Sequence, residues 1–209
     1  MKKTKIYLVR HGETEFNRLG VFRGRYEVEL NQRGMKQAEE ISRALASAGI
    51  QKIYTSPLKR ALKTAEIISR NLGIDYVVNE AFNNIDLGSW QGVKKEDIKK
   101  RFPDLWKLWI TEPEKLTIPD GETLDDVKKR AFNGIMEVLS TPIERVAIVT
   151  HRSVIKVLAA AMLNVQAPYF WKFYIDNAAY SVFEHDGAQF ILLEWNNNNH
   201  LSEKVTEVF

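Results

Sequence analysis

The sequence predicts an α/β domain built on a mostly parallel β-sheet. Two apolar runs, residues 6–9 and 145–150, are typical of strands that are buried on both faces of such a sheet. Apolar residues also recur at helical spacing in several longer stretches of the chain. With 209 residues the chain can bury a sizeable core, and we predict one domain over residues 1–209.

The first half of the chain alternates between strand and helix patterns. After a loop over residues 12–30, a helix is expected from an Asn31 cap to about residue 48. Another helix is expected to begin at Ser56, as the N-cap hydroxyl, and Pro57, as the first helical residue. Short strands are predicted in two further segments, 51–55 and 74–79.

The second half opens with a polar, aromatic-rich segment, residues 93–120, which we predict to form short helices that act as a lid. Thr123 caps a helix to about Leu139, and a further helix follows His151. Two final strands joined by a hairpin turn are expected at 179–184 and 189–194.

Two predicted strands each end in a histidine beside an arginine. Arg10 and His11 close the first strand, and His151 and Arg152 follow the strand at 145–150. Side chains at the carboxyl ends of parallel strands face the crevice where open α/β sheets bind ligands. Arginine neutralises phosphoryl oxygens, and imidazole offers a nitrogen lone pair to phosphorus. If the two strands are neighbours, these residues form one site for a phosphate.

Five motifs occur in the order in which they occur in the histidine phosphatase superfamily, the phosphoglycerate-mutase-like proteins. The chain resembles this family over nearly its whole length, and each motif match is a hypothesis that its structural context must support. The motifs lie at residues 10–14 with Asn17, 55–61 with 64–65, 85–92, 119–123 and 149–151.

The resemblance implies a three-layer α/β/α sandwich and phosphoryl transfer from a small phosphomonoester. His11 would be the nucleophile that becomes phosphohistidine, and Arg10, Arg60 and His151 would hold the phosphoryl group. No metal or other cofactor is implied, and hydrolysis is favoured over mutase activity because residues 93–120 form a short lid. The expected substrate-binding residues are Asn17, Arg23, Gly24 and Arg152, although Arg152 is equally compatible with a position in solvent.

Asn84 departs from the family pattern, which has a glutamate at this position to protonate the leaving oxygen. An amide has no proton to release at neutral pH, and the loss of a general acid costs about 10²–10⁴ in rate. Three explanations remain open. Asp86 supplies the proton, the enzyme is slow or restricted to good leaving groups, or the chain is a regulatory protein that binds phosphate without turnover.

The composition limits the classes of binding partner that we expect for this chain. The chain has no cysteine, a net charge of +3 and no apolar run long enough to cross a bilayer, so we expect a cytoplasmic protein without nucleic-acid or membrane partners. The expected partner is a small phosphorylated metabolite, and a homodimer is left open. A metal site on His11 and His151 lacks a third ligand at a suitable spacing.

Overall fold

The computed structural model describes residues 3–203, in which six strands form one sheet. The strand order is β3-β2-β4-β1-β5-β6, with parallel pairing from β3 to β1 and antiparallel pairing for β5 and β6. The sheet is therefore mostly parallel, as predicted. The strands are β1 (Thr4–Arg10), β2 (Lys52–Thr55), β3 (Tyr76–Val78), β4 (Arg145–Thr150), β5 (Tyr180–His185) and β6 (Phe190–Asn197).

Helices cover both faces of the parallel part of the sheet. Alternate residues of each strand point to opposite faces, so Leu8 and Ile148 join one apolar cluster and Val9 and Val149 join another. The result is the three-layer sandwich that the family resemblance implies. The helices are α1 (Glu15–Arg18), α2 (Gln32–Ala44), α3 (Lys59–Leu72), α4 (Lys95–Arg101), α5 (Pro103–Thr111), α6 (Leu124–Leu139) and α7 (Arg152–Met162).

The two clusters assign the helices to their layers. The cluster containing Leu8 includes Val127 from α6 and Val157 from α7. The cluster containing Val9 includes Ile41 from α2 and Ala65 from α3. Each of these four helices thus buries an apolar stripe against the sheet, which is how amphipathic helices gain most of their stability.

Two predicted helix boundaries differ from the structure. Helix α2 begins after an Asn31 cap, as expected, but it ends at Ala44 rather than near residue 48. Ser56 does not cap α3, because Leu58 occupies the N-cap position and the helix begins at Lys59. The Ser56 hydroxyl instead lies beside the ring of His151, so the motif at this position contributes to the site rather than to the helix end.

The segment from 93 to 120 forms α4, α5 and a 3₁₀ turn at Pro113–Lys115. Trp109 of α5 packs against Phe22, Trp90 and Phe170, with ring centroids 5.4–6.4 Å apart. The short helices expected here are therefore present, and aromatic packing attaches them to the body of the protein. Within residues 3–203, no helix combines the length and the apolar character that crossing a membrane would require.

Candidate active site

The pairing of β1 with β4 brings the two histidines to the same end of the sheet. In this parallel ladder Arg10 lies opposite Thr150, and the His11 backbone N–H donates to the Thr150 carbonyl over 3.1 Å. The ring centroids of His11 and His151 are 5.1 Å apart. Two residues that are 140 positions apart in the chain therefore share one site.

His11 is held as a neutral imidazole with its Nε2 lone pair available. Its Nδ1 lies 2.6 Å from the Gly12 carbonyl oxygen, which can only accept, so Nδ1 carries the hydrogen. Burial, followed by the charges of Arg60 and Arg10, lowers the pKa of His11 well below the usual 6.5. At neutral pH the Nε2 of His11 is therefore unprotonated and can act as a nucleophile.

His151 is oriented by the hydroxyl of Ser56. The His151 Nε2 lies 2.7 Å from Ser56 Oγ, and the same oxygen accepts a 3.4 Å hydrogen bond from the Leu58 N–H. We assign the Ser56 hydroxyl as the hydrogen-bond donor and His151 Nε2 as the acceptor. The ring hydrogen of His151 is then on Nδ1. That Nδ1 is buried and has no hydrogen-bond partner within residues 3–203, so it is a donor available to an anion beside His11.

Arg10 and Arg60 are completely buried and supply fixed positive charge. Arg10 Nη1 donates to the Ile175 carbonyl over 2.7 Å, and Arg60 donates to the carbonyls of Gly24 and Tyr26 over 2.8 and 2.9 Å. Burial lowers the pKa of Arg60 to about 9, so the side chain remains a cation at neutral pH. Both guanidiniums thus provide positive charge that can stabilise an anion at the histidine pair.

Asn17 and Gly24 have different roles in the geometry. The Asn17 Oδ1 accepts hydrogen bonds from the Thr14 N–H and hydroxyl over 3.0 and 2.8 Å, whereas its Nδ2 is buried and finds no partner among the described residues. Gly24 has φ of 50°, and its carbonyl accepts from both Arg60 and Asn84. Asn17 therefore retains an N–H donor. The Gly24 carbonyl connects Arg60 to Asn84, the residue at the position where the family has its acid.

Asn84 is fixed by hydrogen bonds on both sides of its amide. Its Oδ1 accepts from the Ser153 hydroxyl over 2.7 Å, and its Nδ2 donates to the Gly24 carbonyl over 2.7 Å. Its backbone carbonyl accepts from Arg130, which is itself paired with Glu122 over 2.8 Å. One N–H of the amide remains to contact a ligand, but the amide supplies no proton.

Asp86 lies outside the cavity that contains the histidines. Its Oδ1 accepts from the Gly88 N–H over 2.9 Å, and its Oδ2 is 3.9 Å from Arg25 Nη1. Among the described residues that line the cavity there is no carboxylate. The geometry therefore does not favour Asp86 as a replacement for the missing acid.

The cavity has a volume of about 80 Å³. Arg10, Asn17 and Arg60 are buried beside it rather than on its lining. Arg152, for which a position in solvent was equally expected, lines the cavity. The predicted site residues on its lining are His11, Arg23, Gly24, Asn84, His151 and Arg152.

Sequence reasoning missed several side chains of the site. Ser153 follows His151 by two residues, yet its hydrogen bond to Asn84 crosses 69 positions of the chain. Lys95 belongs to a charge run that is typical of a solvated helix face, but it lines the cavity. The heavy aromatic content of residues 93–120 was the available signal for Trp109, which also lines the cavity.

Metal binding has no support from the arrangement of side chains. Among residues 3–203, no group of three or more histidines and carboxylates is positioned to hold a metal ion. The histidine pair is surrounded instead by arginines, whose charge opposes a bound cation.

A neutral histidine, a second histidine and buried arginines on an α/β/α sandwich form an arrangement that suits phosphoryl transfer. The model of the histidine phosphatase superfamily (branch 1) matches residues 6–198. The chain belongs to this superfamily.

Individual relatives agree with this assignment over nearly their full length. Phosphoserine phosphatase 1 of Hydrogenobacter thermophilus is 32% identical over 204 residues, which are 97% of this chain and 97% of that protein. The phosphatase PhoE of Bacillus subtilis is 32% identical over 200 residues, with 95% and 97% coverage. The structure of YhfR from Bacillus stearothermophilus has a TM-score of 0.90 and 30% identity, with 94% and 98% coverage. The predicted family and fold class are confirmed, and the chain is an enzyme of a phosphatase family.

We expect stability to fall as the pH decreases below 6.5. The unfolded chain protonates its histidines near their ordinary pKa, whereas burial and the arginines keep His11 and His151 neutral, so acid favours the unfolded state. Each histidine lowers the free energy of unfolding by at most about 1.4 kcal/mol for each pH unit below its ordinary pKa. Urea unfolding at pH 7.5 and 5.5 would measure this slope, and His11→Gln should reduce it. An unchanged slope in the variant would contradict the prediction.

We also expect Ser56→Ala to alter the tautomer of His151. Without the hydroxyl, nothing requires the ring hydrogen to stay on Nδ1, and phosphate binding should weaken about tenfold. Nitrogen chemical shifts of ¹⁵N-labelled imidazoles report the tautomer directly. Ser56→Thr retains a hydroxyl and serves as the matched control. The assignment is wrong if Ser56→Ala and the parent protein give the same His151 nitrogen shifts.

Proposed function

We propose that this chain hydrolyses small phosphomonoesters through a phosphohistidine at His11. The observation that carries the proposal is the hydrogen bond from His11 Nδ1 to the Gly12 carbonyl, which leaves the Nε2 lone pair unprotonated on a residue that lines a cation-rich cavity. Burial, followed by neighbouring positive charge, lowers the pKa of His11 and holds the imidazole neutral, and the same charge attracts the phosphate dianion.

In the first step, His11 Nε2 attacks phosphorus and the bond from phosphorus to the ester oxygen breaks. The buried charges of Arg10 and Arg60, together with the Nδ1–H of His151, stabilise the phosphoryl oxygens as charge moves between them. In the second step, water attacks phosphorus, the P–N bond breaks, the lone pair returns to Nε2, and the attacking water gives one proton back to solvent. Inorganic phosphate then leaves.

The leaving oxygen takes its proton from solvent in this proposal. Asn84 donates a hydrogen bond but transfers no proton, and none of the described residues on the cavity lining is a carboxylic acid. Rates should therefore depend strongly on the leaving group, and phenolic esters should react faster than alkyl esters.

Relatives support hydrolysis over mutase activity. The similar proteins from Hydrogenobacter and Bacillus are named as phosphatases. Trp109 and Lys95 come from residues 93–120 and line the cavity, which supports the proposed role of this segment as a lid. A single domain over residues 1–209, a cytoplasmic location and a homodimer stay predictions.

His11→Ala should abolish turnover of p-nitrophenyl phosphate and formation of an acid-labile, base-stable phosphoenzyme. His185→Ala is the matched control, because this histidine lies at the end of β5 outside the cavity. Released p-nitrophenol and ³²P retained on the protein are the measurements. Full turnover by His11→Ala would contradict the proposal. Turnover that depends on added 2,3-bisphosphoglycerate would indicate a mutase instead.

Asn84→Glu should raise the rate with alkyl phosphates by up to about 10²–10⁴, because it restores a group that can protonate the leaving oxygen. The gain should be small for p-nitrophenyl phosphate, whose leaving group needs no proton. Asn84→Gln retains the amide and should show no gain. A Brønsted plot of rate against leaving-group pKa tests this. If neither this chain nor Asn84→Glu turns over any ester, the chain is a phosphate-binding regulatory protein.

A further inference from the structure

Ser153 is a cavity residue to which the proposed reaction assigns no role. It is the second residue of α7, it follows His151 by two positions, and it is 8% exposed. It lines the cavity together with His11 and Asn84. Its hydroxyl donates to Asn84 Oδ1 over 2.7 Å, so any role of this hydroxyl in the reaction passes through Asn84.

The neighbours of Asn84 fix which end of its amide faces which side. The Gly24 carbonyl is an acceptor, so the amide atom 2.7 Å away from it is the Nδ2 donor and not Oδ1. Arg60 Nη2 donates to the same carbonyl over 2.8 Å and holds it in place. The amide oxygen therefore faces Ser153, and the Ser153 hydroxyl supplies the hydrogen of their contact.

This arrangement leaves one hydrogen-bonding group of the Asn84 amide for a ligand. Ser153 donates to Oδ1, and Gly24 accepts from one of the two Nδ2 hydrogens. The second N–H belongs to a residue on the lining of the cavity that contains His11 and His151. The dianion of a phosphomonoester presents acceptor oxygens, so an N–H is the group that suits it.

We propose that Ser153 is a positioning residue, which holds the Asn84 amide so that its second N–H donates to an oxygen of the bound phosphoryl group. This inference rests on the proposed function for the position of that group. An amide held on both sides loses less freedom on binding than an amide held by Gly24 alone. Ser153 itself acts through Asn84 and not on the phosphoryl group.

The same hydroxyl should have the opposite effect on an acid at position 84. A hydroxyl that donates to a carboxyl group favours the ionised form and lowers its pKa. Arg25 and Arg130 donate to the Asn84 carbonyl over 3.2 and 2.9 Å, and their positive charge acts in the same direction. Ser153 therefore supports an amide at this position and works against a proton donor there.

Calorimetry with methylphosphonate tests the positioning role without a catalytic step. Ser153→Ala should weaken binding about fivefold, because the Asn84 N–H is no longer held toward the ligand. Ser153→Thr retains the hydroxyl and should keep the affinity of the parent protein. Ser140→Ala is the matched control, because Ser140 is exposed, lies outside the cavity and donates to the Glu137 carbonyl over 2.7 Å. Equal affinities for the parent protein and Ser153→Ala would overturn the proposal.

A carboxyl group at position 84 gives a readout that a merely structural serine would not change. Asn84→Asp has the same shape as the parent side chain, and ¹³C NMR measures the pKa of the introduced carboxyl. Adding Ser153→Ala should raise this pKa by about 1, because the ionised form loses a donor. The charges of Arg25, Arg60 and Arg130 are present in both proteins, so the difference reports Ser153. The proposal is wrong if the two pKa values agree.

Turnover should show the same reversal. In Asn84→Glu, adding Ser153→Ala should raise the rate with alkyl phosphates about threefold, because more of the acid is protonated at neutral pH. With Asn84 retained, Ser153→Ala should lower that rate. A loss in both backgrounds would mean that Ser153 supports the fold and does not position Asn84. If p-nitrophenyl phosphate is not hydrolysed at all, the proposed function fails, whereas the calorimetry and NMR still decide the role of Ser153.

Discussion

The parallel pairing of β1 with β4 is the constraint on which the site depends. Its register sets Arg10 opposite Thr150, so the two residues that follow, His11 and His151, leave the sheet side by side. Hydrogen bonds along the ladder and apolar residues on both faces fix this register. A shift by one residue would turn the side chains of one strand to the opposite face, and the two rings would no longer meet.

Burial of charge around the histidines gives the site its chemistry. Arg10 and Arg60 donate hydrogen bonds to the carbonyls of Ile175, Gly24 and Tyr26, which accept without carrying a full negative charge. That charge disfavours protonation of His11 and favours an anion in the same place. In the proposed reaction, one arrangement thus activates His11 and attracts the phosphoryl group that it attacks. The cost of burying cations is offset by these hydrogen bonds and, during reaction, by the phosphoryl group.

A second network positions the loop that carries Asn84. Arg130 donates to the carbonyls of Ala81, Asn83 and Asn84 over 2.7–2.9 Å and pairs with Glu122. This contact connects α6 to the loop and thereby holds Asn84 at the cavity. Arg130 contacts only backbone carbonyls of this loop, so the network holds residue 84 in place whether its side chain is an amide or an acid. The position of the family acid is therefore preserved although Asn84 is not a proton donor.

The sequence by itself determined the strands, the helices with strong caps, the family and the residues that its motifs mark, because periodicity and short motifs are local properties. Ser56 is a residue whose role the local pattern does not predict. A Ser-Pro pair predicts a helix cap, but the Ser56 hydroxyl contacts His151, which is 95 positions away. The sequence likewise predicts that Lys95 is a solvated cation, whereas in the structure Lys95 lines the cavity. Only the tertiary structure decided which polar atoms meet, which tautomers they impose and which charges share a cavity, because these depend on contacts between residues distant in the chain.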